Sequence, residues 1–124
     1  MKRVVFDTNF LVDLARFKVG LDEIEEIIDE PYEFFTIKNV VEELEKLAEK
    51  KSRHARYARI ALMLLKRNNI QILKSRQKET DDALLSLGNN NAIIATNDRI
   101  LRKRLKMANV QTICLRAKKH LVIG

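Results

Sequence analysis

The chain has 124 residues, 46% of them hydrophobic and 33% charged, with three Gly and one Pro; this excludes collagen-like and low-complexity classes and predicts a single globular domain over 1–124. The one cysteine, Cys114, excludes a disulfide framework and any zinc site built on several cysteines, and with no stretch apolar enough for a membrane span or signal peptide, a soluble, cytoplasmic protein without membrane contact is expected. The formal charge is +7, but residues 1–50 hold 7 Lys/Arg against 13 Asp/Glu while residues 51–124 hold 17 against four, and so basic a second half fits a polyanionic partner.

In chain order, Arg3-Val4-Val5-Phe6 reads as a short strand stopped by Asp7-Thr8-Asn9, all favourable helix caps, ahead of a helix from Phe10 to Arg16. Leu21 to Glu30 carries Leu21, Ile24, Ile27 and Ile28 at helical spacing and ends at Pro31; Glu33 to Ile37 is a second strand. Asn39 is expected to cap a helix whose buried stripe is Val40, Val41, Leu44, Leu47 and Ala48, and Ser52 opens a longer helix reaching Lys66. Ile70 to Leu73 is the third strand, and Glu79 to Leu87 a helix ended by Gly88-Asn89-Asn90-Asn91. Ala92 to Ala95 is the fourth strand, Asp98 to Lys106 the last helix and Val110 to Leu115 the fifth strand. Strands separated throughout by helices require crossovers, hence a parallel sheet with helices on both faces. In such sheets ligands bind beyond the carboxyl ends of the strands, where strand order reverses.

Acids gather at that edge. Asp7 and Asp98 directly follow the first and fourth strands, Asp81 and Asp82 lie in the first turn of the helix after the third, and Glu43 in the first turns of the helix after the second. Singly, each suits a helix cap or a solvated face, worth about 0.5–2 kcal/mol. Together they repel one another unless a cation resides among them, and oxygen-only ligands suit Mg²⁺ or Mn²⁺. A carboxylate-held metal beside a basic surface matches phosphodiester hydrolysis, in which the ion activates water and stabilises the leaving oxygen. Ser52, Ser75 and Ser86 have no base in a recognisable pattern, His54 and His120 read as surface residues, and Cys114 as a buried apolar one.

In order along the chain, Val4-Val5-Phe6-Asp7-Thr8-Asn9, the segment Thr36 to Leu44 ending in Glu43-Leu44, Thr80-Asp81-Asp82-Ala83-Leu84 and Ile94-Ala95-Thr96-Asn97-Asp98 resemble the four motifs of the PIN-domain nucleases. The resemblance covers Val4 to about Leu115. It implies a three-layer, doubly wound α/β/α fold with a central parallel five-stranded sheet of order 3-2-1-4-5, and Mg²⁺- or Mn²⁺-dependent endoribonuclease activity. By position it makes Asp7, Glu43, Asp82 and Asp98 the catalytic, metal-binding acids, with Asp81 a fifth candidate ligand; Glu43 is preferred to Glu42 because Leu44 follows it. It gives Thr8, Asn9, Thr96 and Asn97 the task of orienting carboxylates and waters. Asp7-Thr8-Asn9-Phe10-Leu11, Val41 to Leu47 and the Asp81-Asp82 pair are similar to the small-subunit ribosomal RNA-processing branch, which implies an rRNA precursor as substrate. Asp82-Ala83-Leu84 is also similar to the VapC-type toxins, which implies an antitoxin partner and commonly a homodimer. A non-catalytic RNA-binding module of the same fold is a further alternative; a receiver-like signalling domain would instead need paired acids at the end of the first strand, whereas here the pair Asp81-Asp82 lies within a helix.

Arg99, Arg102, Lys103 and Lys106 recur at i, i+3, i+4 and i+7 immediately after Asp98, a stripe suited to an RNA backbone leading into the acids. Arg53 and Arg56 belong to a second basic run, in which Tyr57 also fits a core stripe.

Overall fold

In a computed structural model of the chain, residues 1–88 and 91–124 are described; Asn89 and Asn90, expected at the end of the fifth helix, lie outside the described residues. The elements run β1 (Lys2–Phe6), α1 (Thr8–Phe17), α2 (Glu23–Ile27), β2 (Tyr32–Ile37), α3 (Lys38–Ala48), α4 (Arg53–Arg67), β3 (Gln71–Leu73), α5 (Thr80–Leu87), β4 (Ala92–Ala95), α6 (Arg99–Met107), β5 (Gln111–Arg116) and β6 (His120–Ile123).

The sheet order is β3-β2-β1-β4-β5-β6. The first five strands are parallel, with Val5 opposite Phe35 on one side and Ile94 on the other. The expected five-stranded parallel sheet is present, and β6 extends it by pairing antiparallel to β5, Cys114 opposite Val122. Because connections between parallel strands are right-handed, the passage β1 to β2 to β3 puts α1–α4 on one face, and the return to β4 and β5 puts α5 and α6 on the other. The order therefore reverses between β1 and β4.

β4 is apolar throughout and β1 over its last three residues, as strands covered on both faces must be. Val4, Val5, Phe6 and all of Ala92–Ala95 are buried, and with Phe10, Leu14, Ile37, Val40, Leu44, Ala58, Leu84, Leu101, Leu105 and Ile113 they form one continuous core cluster. Phe6 stacks on Phe10, ring centroids 5.7 Å apart, which fixes the first helix against the first strand.

Three expectations need correction. The second helix is only Glu23–Ile27 of the expected Leu21 to Glu30, since acidic Asp29-Glu30 adjoins Pro31 and Ile28 is already extended. Asn39 does not cap the third helix, which begins at Lys38 with Ile37 in the capping position. The Asn39 amide instead donates to the carbonyls of Gln77 and Lys78 at 3.0 and 3.1 Å, tying the β3–α5 loop to the helix. Finally, β6 follows a turn of Ala117-Lys118 with φ of 54° and 59°, closed by Lys119 N–H to the Arg116 carbonyl at 3.1 Å. That chain reversal lacks the Gly or Asn that positive φ favours, so the sequence carries little sign of it.

Candidate active site

The carboxyl ends of β1 and β4 meet at the point where strand order reverses, and a cavity of about 310 Å³ opens there. Asp7, Glu43, Asp81 and Asp98 line it, from four separate segments. Local chain geometry supplies each of them.

Asp7 is the N-cap of α1. One carboxylate oxygen accepts the Thr8 N–H at 2.7 Å and the other the Thr96 hydroxyl at 2.6 Å, while its own N–H donates to the Ala95 carbonyl at 2.9 Å. The side chain is buried, and that desolvation pushes its pKa up to about 6; the Thr96 and Thr8 hydrogen bonds pull against it, and the charges of Asp81 and Glu43 add to it. Glu43 accepts the hydroxyls of Thr80 at 2.6 Å and Thr8 at 3.0 Å through one oxygen. Asp98 caps α6, its carboxylate accepting the N–H groups of Ile100 and Leu101 at 2.8 and 3.1 Å, while its own N–H donates to Thr96 Oγ1 at 3.1 Å. Asp81, one step into α5, has its pKa raised first by partial burial and then by Asp98, with Arg104 opposing.

Thr8, Asn9, Thr96 and Asn97 all take part in this network. Asn9 Oδ1 accepts the Asn97 N–H at 3.0 Å; the Asn97 side chain donates to Asp13 at 2.9 Å and accepts the Leu115 N–H at 2.8 Å. The pair Asp81-Asp82 divides differently from the expectation. Asp82, placed by resemblance among the catalytic acids, is absent from the central cavity and turns toward Arg104, 3.2 Å away, because adjacent helical positions point about 100° apart. Asp81 faces the other three acids.

Asp13, Thr80 and His54 also line the cavity. Asp13 stands four residues beyond Asn9, one turn along the same helix face, a spacing that signals it. Thr80 had no signal beyond its place in the third motif. His54 is exposed, as read from the sequence, and reaches the rim because α4 packs on α1 and α3.

The donor set suits a hard divalent cation: four carboxylates on four chain segments, two of them, Asp7 and Asp81, held above their ordinary pKa first by burial. Among the described residues no three acids already stand as a closed ligand group, Asp7, Glu43 and Asp98 being engaged by neighbouring N–H or hydroxyl donors. Beside the acids, Arg99, Arg102, Lys103 and Lys106 line a separate cavity of about 330 Å³ with Thr112 and Arg116 of β5. Arg53 and Arg56 are exposed at the start of α4 and line neither. No described helix is long and apolar enough to cross a membrane.

The family described as a PIN like domain matches residues 4–118. Ribonuclease VapC4 of Methanocaldococcus jannaschii is 31% identical over 127 residues, spanning 99% of this chain and 97% of its own length. Among solved structures, the PIN domain endonuclease Utp24 superimposes with a TM-score of 0.81 at 22% identity, over 98% of this chain and 90% of its own. VapBC-1 from nontypeable Haemophilus influenzae does so with a TM-score of 0.51 at 18% identity, over 89% and 96%. With the acids gathered where the first and fourth strands end, and a family match over nearly its whole length, this chain belongs to the PIN-like domain family.

Proposed function

We propose that the protein is a divalent-cation-dependent endoribonuclease, a single PIN-like domain over 1–124, with Asp7, Glu43, Asp81 and Asp98 holding Mg²⁺ or Mn²⁺. The observation that carries this reading is the convergence of those four carboxylates on one cavity, with the cationic stripe of α6 starting one residue after Asp98. When bound, such an ion supplies an activated water and neutralises charge on the scissile phosphate. The protein's part is positional. Thr96 and Thr8 fix Asp7, Thr80 and Thr8 fix Glu43, and the α6 cap fixes Asp98, so the donors keep their aim. The Arg99, Arg102, Lys103 and Lys106 stripe holds the RNA backbone at the mouth.

An rRNA precursor in the cytoplasm is the substrate we infer, supported by the paired Asp81-Asp82 and the Val41 to Leu47 segment. A second reading, a toxin acting with an antitoxin partner, is favoured by the 31% identity to Ribonuclease VapC4. An adjacent small reading frame whose product binds the chain and silences it would decide for the toxin; site-specific cutting of an rRNA precursor with no such neighbour would decide for processing.

The test of the activity is RNA cleavage in Mg²⁺ or Mn²⁺ against EDTA. Asp7→Asn and Asp81→Asn are expected to abolish cutting, and Asp82→Asn to leave most of it. Cutting that survives EDTA or Asp7→Asn would overturn the metal site.

A further inference from the structure

At the end of the sheet away from α6, a second cation-lined hollow of about 400 Å³ opens between the start of α3 and the β3–α5 loop. Lys38, Lys74, Arg76 and Lys78 line it, with one acid, Glu42. All four cations are exposed, and among the described residues none is ion-paired. The loop is tied to α3. Asn39 donates to the carbonyls of Gln77 and Lys78, and the Gln77 N–H donates to Ser75 Oγ at 3.1 Å. Its cationic side chains are left to solvent.

Position gives these charges a purpose. The strand order sets the β3 loop at one end of the carboxyl edge, the acids over β1 and β4 in the middle, and Arg99 and Arg116 toward the other end, from which the cavity between α6 and β5 runs back as far as Lys106 and Thr112. Adjoining the acids is a hollow of about 350 Å³ lined by Glu79, Asp81, Asp82 and Arg104, sharing Glu43, Thr80 and Asp81 with the central cavity; Glu79 follows Lys78 of the loop directly in the chain. Cation, acid and cation segments therefore follow one another along a single edge. A polyanion that reached only one flank would meet the acids as a terminus; one gripped at both flanks must pass over them.

We propose that Lys38, Lys74, Arg76 and Lys78 form a second phosphate-binding site for the RNA strand, on the opposite side of the scissile bond from the α6 stripe. This rests on the endoribonuclease reading and adds to it which residues hold the strand on the far side of the cut.

The experiment compares two triple variants of equal charge. One is Lys74→Gln, Arg76→Gln and Lys78→Gln; the control is Lys46→Gln, Lys66→Gln and Arg67→Gln, exposed residues that line none of these cavities. Both are made in Asp7→Asn protein, and binding of a fluorescent single-stranded RNA is followed in Mg²⁺ over a range of salt. The loop triple is expected to weaken binding about tenfold and to lower the slope of log Kd against log salt by about 2, near 0.7 for each lost contact. The control should change neither by comparable amounts. Equal effects of the two triples, or none from the loop triple, overturn the site while unmodified protein that cuts RNA keeps the ribonuclease reading intact. Unmodified protein that fails to cut RNA with either metal overturns both.

Discussion

Asp7 carries the largest cost at the scale of one residue. Its carboxyl is buried and held up to about 6, against an ordinary value near 3.8–3.9, so the folded state retains a proton that the unfolded chain releases. An acid shifted this way destabilises the fold once ionised: the penalty is absent below about pH 4, grows as pH rises, and is complete above about pH 6. Two units amount to about 3 kcal/mol at most. Asparagine keeps the capping oxygen without the charge, so in EDTA Asp7→Asn is expected to melt above the unmodified protein at pH 7.5, with the gap narrowing as pH falls below about 6 and closing below about pH 4. Mn²⁺ should raise the melting temperature of the unmodified protein only. A variant that melts lower at pH 7.5 would refute the buried-charge account. All five acids, Asp81 included, were legible as a cluster from their place after strands and at helix starts. The choice between Asp81 and Asp82 was not, because both lie in one helical turn and only the rotation of α5 against α6 decides which one faces inward.

At the scale of elements, apolar runs bounded by caps marked every helix and the five parallel strands. The β5–β6 hairpin escaped because Ala117-Lys118-Lys119 has no turn residue, although the backbone adopts positive φ at two successive positions. A non-glycine residue in that region costs about 1–2 kcal/mol, partly offset in a glycine variant by chain entropy. Lys118→Gly is therefore expected to stabilise the protein by up to about 1 kcal/mol, read as a higher urea midpoint at unchanged slope. A lower midpoint would show that the turn is unstrained. Asn39 was misread for a related reason: its residue type favours a cap, but a carbonyl-rich loop distant in sequence competes for the same amide.

For the whole molecule, charge is arranged for encounter more than for cohesion. Only two ion pairs occur among the described residues, Lys2 with Glu30 and Arg104 with Asp82, and the second is half-exposed on both sides, a class worth about 0–1 kcal/mol. Raising KCl from about 50 to 200 mM should therefore shift the melting temperature little while lowering kcat/KM on RNA by an order of magnitude or more. A melting temperature that falls in parallel with activity would mean that the basic half is stapled to the acidic half.

The place of β1 at the centre of the sheet also orders events in time. Its neighbours, β2 and β4, begin about 30 and 90 residues later in the chain, so β1 leaves the ribosome well before its second partner is made. The hydroxyl that holds Asp7 belongs to Thr96, 89 positions downstream. A nascent chain that stops before β4 carries Asp7, Glu43 and Asp81 with nothing to bring them into register, and pairings this remote in sequence form late in folding. The acid cluster is thus assembled only when synthesis of the domain is nearly complete, so on the proposed reading a shortened chain ending before β4 is expected not to cut RNA.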